Sequence, residues 1–324
     1  MDIEPRAKLT VIVPLHNNEF TIGRCLDSVV NQSEKNIHVI VVDDYSVDSG
    51  IEVVQKYINA GYSIEIMRHN ARRGPGAARN TGLTRVSSEY VAFLDGDDWI
   101  DLSAYQTMMA DMERSHSDIG VCGIKTEGDL PEQSSVRYAY THPNTISSKL
   151  ALKMLTREYQ TDYSFSAILG NKVFRRTEAW QKCKFPEVYC YEDNVFMFES
   201  IMHSQGVAVI SNAFHHYYQR SDSIVHSFSE EHVRSLTSAF IYLKEILIKR
   251  SQFETYKRDF YFLLKKCISF LLYSLDDQKL PEREKREYIC HMCELLHQNF
   301  PMREIVNYIG TDAIIRLFPY KGGH

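Results

Sequence analysis

Acidic side chains gather where apolar runs of this chain stop. In "YVAFLDGDDWID", residues 90–101, an apolar stretch from Tyr90 to Leu94 gives way to Asp95, Asp97, Asp98 and Asp101. Carboxylates this close raise one another's pKa unless a positive group sits among them, so the stretch requires a cationic partner. Magnesium commonly uses one or two carboxylates and takes its other ligands from substrate phosphates and water. An Asp-x-Asp at a strand end can offer one such oxygen and leave its neighbour to meet a ribose hydroxyl. Gly96 between the two admits a close approach. Asp98 and Asp101 read better as a solvated loop capping a helix that starts near Asp101. A second acidic pair, Asp43–Asp44 in "VVDDYSVDSG", also ends an apolar run. Ser46 suits a cap for a helix starting near Val47, whereas the Asp pair comes too early. A carboxylate at such a strand end can hydrogen-bond a base or a ribose. In "RRGPGAARNTG", 72–82, Gly74 and Gly76 flank Pro75 ahead of small residues. This is either a tight turn before a closely packed helix or a device that turns Arg79 and Asn80 toward an anion.

The elements that must carry these groups follow from periodicity. Short β-rich runs at 8–15, 37–44, 62–69, 89–95 and 117–123 alternate with helical patterns at 19–32, 48–60, 75–87 and 101–115. Such alternation predicts βαβ units and an α/β fold with a mostly parallel, doubly wound sheet. Near-continuous apolar strands predict helices on both faces. Ligands of these sheets bind outside the carboxyl ends of the strands, which is where the polar residues accumulate. Beyond 126 the pattern loosens. "TEGDLPEQSSV" reads as an exposed loop, and 147–230 mixes a helical stretch with short strands. From about 229 the chain turns helical, with Ser229 as N-cap ahead of two glutamates. The expected divisions are 1–125, 126–228 and 229–324, the last a C-terminal helical extension.

Composition narrows the function. With 44% hydrophobic and 24% charged residues the chain is globular in profile. A net charge of −5 gives no basic field for nucleic acid. Seven cysteines behind a charged "MDIEPRAKL" start predict a reducing, cytoplasmic setting. Cys290 and Cys293 in "CHMC" have zinc-like spacing but no second ligand pair, and read as helix positions. "PLHNNEF" after the first strand lacks the G-x-G-x-x-G of a dinucleotide cofactor and the basic, Gly-rich loop of a sugar nucleotidyltransferase. Residues 241–270 interleave Lys244, Lys249, Arg250, Lys257, Arg258, Lys265 and Lys266 with apolar side chains. The stretch is either a helical bundle packed on the rest of the protein or a peripheral contact with the inner face of the cytoplasmic membrane.

"TVIVPLHNNEFTIGRCLDSVVNQS", "VIVVDDYSVDSG", "GPGAARNTGL" and "YVAFLDGDDWID" together resemble the ordered signature blocks of family 2 glycosyltransferases of the GT-A fold. The blocks fall in family order through residues 10–101, and the resemblance is firm over the first 125 residues. It implies a nucleoside-diphosphate-sugar donor, usually a UDP-sugar, a divalent metal (Mn2+ or Mg2+) and inversion at the anomeric carbon. The acceptor would be a glycan or lipid-linked oligosaccharide, in bacterial surface-polysaccharide synthesis. Carried onto this sequence, Pro14 lines the nucleobase pocket, Asp44 touches the base, Asp95 meets the ribose and Asp97 ligates the metal. Tyr45 and Val47 depart from the Gly and Thr more usual in the family. The family also uses a carboxylate base in its second half, and "YCYEDNVFMFESIM" offers Glu192–Asp193, with Asp193 as the base. Without the resemblance, the two are acids favoured at a helix N-terminus. "FHHYYQRSDSIVHSF", 214–228, resembles the segment that closes over the donor. There Arg220 would hold phosphate, and His215 or His216 would add a metal or acceptor contact, unless each is an ordinary strand residue. Asn171 and Lys172 fall on the acceptor side in this reading. The rival from another class, a nucleotide-sugar-binding protein without catalysis, leaves Glu192–Asp193 without a task.

Overall fold

In a computed structural model of the chain, residues 7–128, 135–137, 144–156, 165–219, 228–277 and 280–309 are described. In chain order the first half runs β1 (Leu9–Leu15), α1 (Ile22–Val30), β2 (Ile37–Asp43), α2 (Gly50–Asn59), β3 (Ile64–Arg68), α3 (Pro75–Leu83), β4 (Tyr90–Phe93), β5 (Trp99–Ile100) and α4 (Ala104–Ser115). There follow β6 (Ile119–Glu127), β7 (Ser135–Arg137), β8 (Asn144–Ser147), α5 (Ser148–Thr156), β9 (Lys172–Arg175), α6 (Glu192–Met202) and β10 (Gly206–Tyr218). Among the described residues four helices follow: α7 (Glu230–Lys249), α8 (Phe253–Asp277), α9 (Glu282–Asn299) and α10 (Met302–Ile309).

The strands lie in the order β3-β2-β1-β4-β9-β6-β10-β5, with β7 on β6 and β8 on β10. The run β3-β2-β1-β4 is parallel throughout, as the alternating pattern predicts. The fifth apolar run does not join it directly. β9 inserts antiparallel between β4 and β6, and β6 then pairs in parallel with β10. Residue parity sorts the strands onto two cores. Leu9, Val11, Val13 and Leu15 of β1, with Tyr90 and Ala92 of β4, face α1, α2 and α4. Ile12, Ile40, Val42, Val91 and Phe93 face the opposite side, with α3, α5 and α6. Period-2 alternation on a fully covered sheet requires both sets to be apolar.

The same second core continues outward into α7, α8 and α9 through Leu236, Phe240, Phe260, Leu264 and Met292. Phe198 of α6 meets Tyr256 of α8 with ring centroids 6.2 Å apart. Ser229 forms the expected cap, a reciprocal box with His232. Of the basic residues in 241–270, Lys244 donates to Asn299 O at 3.0 Å and Lys266 to Leu155 O at 2.8 Å. Arg250 pairs with Glu199 at 3.0 Å. The buried apolar residues of these helices thus share one core with α5 and α6. No helix among the described residues is long and apolar enough to cross a membrane.

Candidate functional site: a carboxylate rim bridged by one arginine

The site forms where β1, β2 and β4 stop. The loops after β1 and β2 are tied to each other. Asn17 N donates to Ser46 Oγ at 3.1 Å, and Val47 N to Asn17 Oδ1 at 3.0 Å. Glu19 N donates to Asp48 Oδ2 at 2.8 Å, and Ser49 N to Glu19 Oε2 at 3.1 Å. Ser46 thus serves this lacing, and α2 starts later, at Gly50. Tyr45 takes a left-handed conformation, φ 64°, where the family more often has Gly.

Asp44 is buried beneath this lip. Its Oδ1 accepts from Arg73 N at 2.8 Å and lies 2.7 Å from His69 Nδ1, and its Oδ2 accepts from Gly74 N at 2.7 Å. The β2 end is thereby fastened to the start of α3. Asp43 pairs with Arg68 at 2.8 Å. Pro14 pairs with Val42 in the sheet register. A Cβ on Gly96 would lie 3.3 Å from Pro14 O, so the missing side chain lets the acidic loop lie against the end of β1.

The cation among the acids is Arg79. Its Nη2 donates to Asp95 Oδ1 and its Nη1 to Glu192 Oε1, each at 2.7 Å. Burial works against its charge, but the two carboxylates prevail and hold its pKa above the ordinary value. Arg79, read from the sequence as turned toward an anion, directs both terminal nitrogens to carboxylates of the protein. Asn80, beside it, donates from Nδ2 to Phe185 O at 2.8 Å and accepts from Phe185 N at 3.0 Å.

Asp193 follows Glu192 at the start of α6, after Tyr191 in a left-handed conformation, φ 70°. Its Oδ1 accepts from Asn194 N at 2.7 Å and Asn194 Nδ2 at 2.8 Å. Its Oδ2 makes no hydrogen bond among the described residues. Burial raises its pKa above the ordinary aspartate value, Arg79 opposing and Asp95 adding.

Asp97 lies partly exposed at the rim. Its carbonyl accepts from Arg24 Nη2 at 3.0 Å, and the Arg24 guanidinium covers the Trp99 ring at 3.7 Å. Among the described residues no group of three or more His, Cys, Asp or Glu is placed to hold a metal ion. A single rim carboxylate fits a hard divalent cation whose remaining ligands come from a diphosphate and water.

His215, expected to add a metal or acceptor contact, meets Asp98 of the acidic loop. Its imidazole is fully buried, with Nε2 2.9 Å from Asp98 Oδ2, and Gly170 packs directly against the ring. Asp98 also accepts from Tyr218 N at 2.9 Å. It fastens the acidic loop to β10 and caps no helix. Asp101 likewise pairs with Lys125 and His216, each at 3.0 Å. His216 stacks on Trp99 and reaches Glu127 at 2.8 Å. Asn171 and Lys172 are buried, Lys172 Nζ donating to Asn171 Oδ1 at 2.7 Å. Burial pushes the Lys172 amine down to about 7. Arg220 lies outside the described residues.

A family model described as glycosyl transferase family 2 matches residues 10–177, just over half of the chain. The chain belongs to glycosyl transferase family 2. The glycosyltransferase GlyA of Streptococcus pneumoniae is 28% identical over 237 residues, covering 72% of this chain and 33% of that protein. The poly(ribitol-phosphate) β-N-acetylglucosaminyltransferase TarS of Staphylococcus aureus is 27% identical over 216 residues, covering 65% of this chain and 35% of that protein. The chain thus spans about a third of the length of either relative. The crystal structure of TarS 1–349 in complex with UDP superposes with a TM-score of 0.66 at 22% identity, covering 92% of this chain and 82% of that one. A structure of GalNAc-T7 with UDP, GalNAc and Mn2+ superposes at 0.58 and 15% identity, covering 98% and 59%. The shared architecture is the GT-A fold, so this family 2 chain has the fold that its four sequence blocks imply.

Proposed function

We propose that this family 2 glycosyltransferase moves a sugar from a UDP-sugar to a hydroxyl of a glycan or lipid-linked oligosaccharide, with inversion, in the synthesis of a cell-surface polymer. It would work in the cytoplasm at the inner face of the membrane, where such acceptors are built. The observation that carries the reading is the meeting of Asp95 and Glu192 on one guanidinium, which sets Asp193 beside the carboxyl ends of the strands. The relatives' names and the UDP in the TarS complex support the donor class and the polymer. The Mn2+ of the GalNAc-T7 structure supports a divalent metal.

In this reading Pro14 and Asp44 face the uracil, with Asp44 already oriented by the Arg73 and Gly74 amides. Asp95 keeps Oδ2 for the ribose, since Arg79 takes Oδ1. Asp97 would hold Mn2+ or Mg2+ against the diphosphate, and the ion would neutralise charge on the departing UDP. Asp193 takes the proton of the acceptor hydroxyl as the new bond forms. A hydroxyl is a poor nucleophile until that proton leaves, and a carboxylate within hydrogen-bond reach accelerates the step about 10²–10⁴-fold. A base whose Oδ1 is pinned by Asn194 offers Oδ2 in one fixed direction.

The test pairs two variants. Asp97→Ala should abolish the manganese-dependent part of UDP binding, read by calorimetry with and without the metal. Asp193→Asn should bind UDP with manganese as the wild type does and lose UDP release from UDP-glucose, UDP-galactose, UDP-GlcNAc or UDP-GalNAc. Near-normal turnover by Asp193→Asn would place the base elsewhere.

A further inference from the structure

The "GPGAARN" segment is built around the base and makes little provision for an anion. Positions 76, 79 and 80 share one face of α3, at i, i+3 and i+4. All three grip the chain from Phe185 to Glu192. A Cβ on Gly76 would fall 2.7 Å from Pro186 O and 3.3 Å from Glu192 Cβ, so only glycine lets this face close. Asn80 holds both backbone groups of Phe185. Arg79 holds Glu192 from one side and Asp95 from the other, with its side chain 6% exposed. The Phe185 ring lies 5.5 Å from the guanidinium carbon. Both terminal nitrogens of Arg79 are thus directed at carboxylates of the protein.

We propose that Arg79 is a positioning residue for transfer, fixing the Glu192–Asp193 turn at a set distance from Asp95 and from the donor on that side. The inference rests on the assignment of Asp193 as base. A planar guanidinium can bridge two carboxylates at once, which a lysine ammonium cannot do with the same geometry. Without it, Asp95, Glu192 and Asp193 would crowd one corner with no cation between them, and their repulsion would open the turn. A base displaced by about 1 Å loses on the order of 10²-fold in rate. Donor binding rests on Asp44 and Asp97 as well as on Asp95, so it would change far less.

The experiment uses the full chain with manganese and whichever of the four UDP-sugars named above turns over fastest. Steady-state UDP release is measured together with UDP affinity by calorimetry and thermal melting. Arg79→Met is expected to lower kcat by about 10²-fold while donor KM and UDP Kd stay within about threefold. Arg79→Lys should recover only part of kcat, because it reaches one carboxylate and not both. Asp193→Asn runs beside them. If it loses turnover while Arg79→Met keeps kcat, the inference falls and the base assignment stands. A rise in KM and Kd with kcat intact would likewise overturn it, making Arg79 a donor contact. If Asp193→Asn keeps turnover, the base assignment itself fails and takes the inference with it. Should Arg79→Met fail to melt cooperatively, Glu192→Gln asks the same question with the shape preserved. A lowered kcat at constant KM supports the bridge, and an unchanged kcat refutes it.

Discussion

At the scale of single residues, Asp193 gives a pH signature. In its proposed role as base it works only when deprotonated, and burial lifts its pKa above the ordinary aspartate value. The transfer rate should therefore fall on the acid side at a higher pH than an exposed aspartate, near 3.9, would give. A kcat profile at saturating donor between pH 4 and 8 checks this. An acid limb at or below the ordinary aspartate value would contradict it. Tyr45 makes a stability prediction. A non-glycine side chain at φ 64° carries about 1–2 kcal/mol of strain, partly offset by the greater chain entropy glycine loses on folding, about 0.5–1 kcal/mol. Tyr45→Gly should stabilise the fold by up to about 1 kcal/mol, read as a higher urea midpoint. The carboxylates of the rim were legible in the sequence because each sits where an apolar run stops. Their partners were not. Arg79 meets Glu192 across 113 positions and Asp98 meets His215 across 117, and no local spacing encodes a contact at that range. The isolated His of 214–228 could be read equally as a ligand or as a strand residue. What buries His215 is its register on β10, which only the pairing with β5 and β6 establishes.

At the scale of elements, α3 and α6 are joined by a surface with no spare room. Gly76→Ala would drive a methyl into Pro186 O, a backbone atom that cannot swing aside. The expected cost is about 1–3 kcal/mol in urea unfolding, together with a fall in kcat as the turn ahead of Asp193 moves. The far end of α6 carries a pH-dependent tie. Burial pushes the Glu199 carboxyl up to about 7, against the pull of Arg250 at the end of α7. A raised folded-state pKa means the folded protein binds the proton more tightly. This contribution is fully present below the unfolded value near 4.3 and is lost as pH rises through about 7. Glu199→Gln should therefore flatten the decline of melting temperature between pH 5 and 7.5, read by scanning calorimetry. The parallel strands were legible from continuous apolar runs separated by helical periods. The antiparallel entry of β9 was not, because "KVFR" is too short and too ordinary to announce its neighbours.

At the scale of the whole molecule, one sheet separates two cores, and the four C-terminal helices enlarge only one of them. A chain ended at residue 228 would expose the outer faces of α5 and α6. It should bind a hydrophobic dye and melt without cooperativity, whereas an independent catalytic half would melt sharply. The basic stretch 241–270 showed that a helix would form there. It did not show where the apolar side would go, since a sheet layer and a lipid surface ask for the same pattern. The cross-tied loops after β1 and β2 have a consequence of their own. Asn17, Glu19, Ser46 and Asp48 brace one another across the wall that these two loops form. Such a wall yields as one piece or not at all. On the proposed donor reading, in which this wall meets the base, retuning nucleotide choice would demand exchange of both loops together and not of one residue at a time.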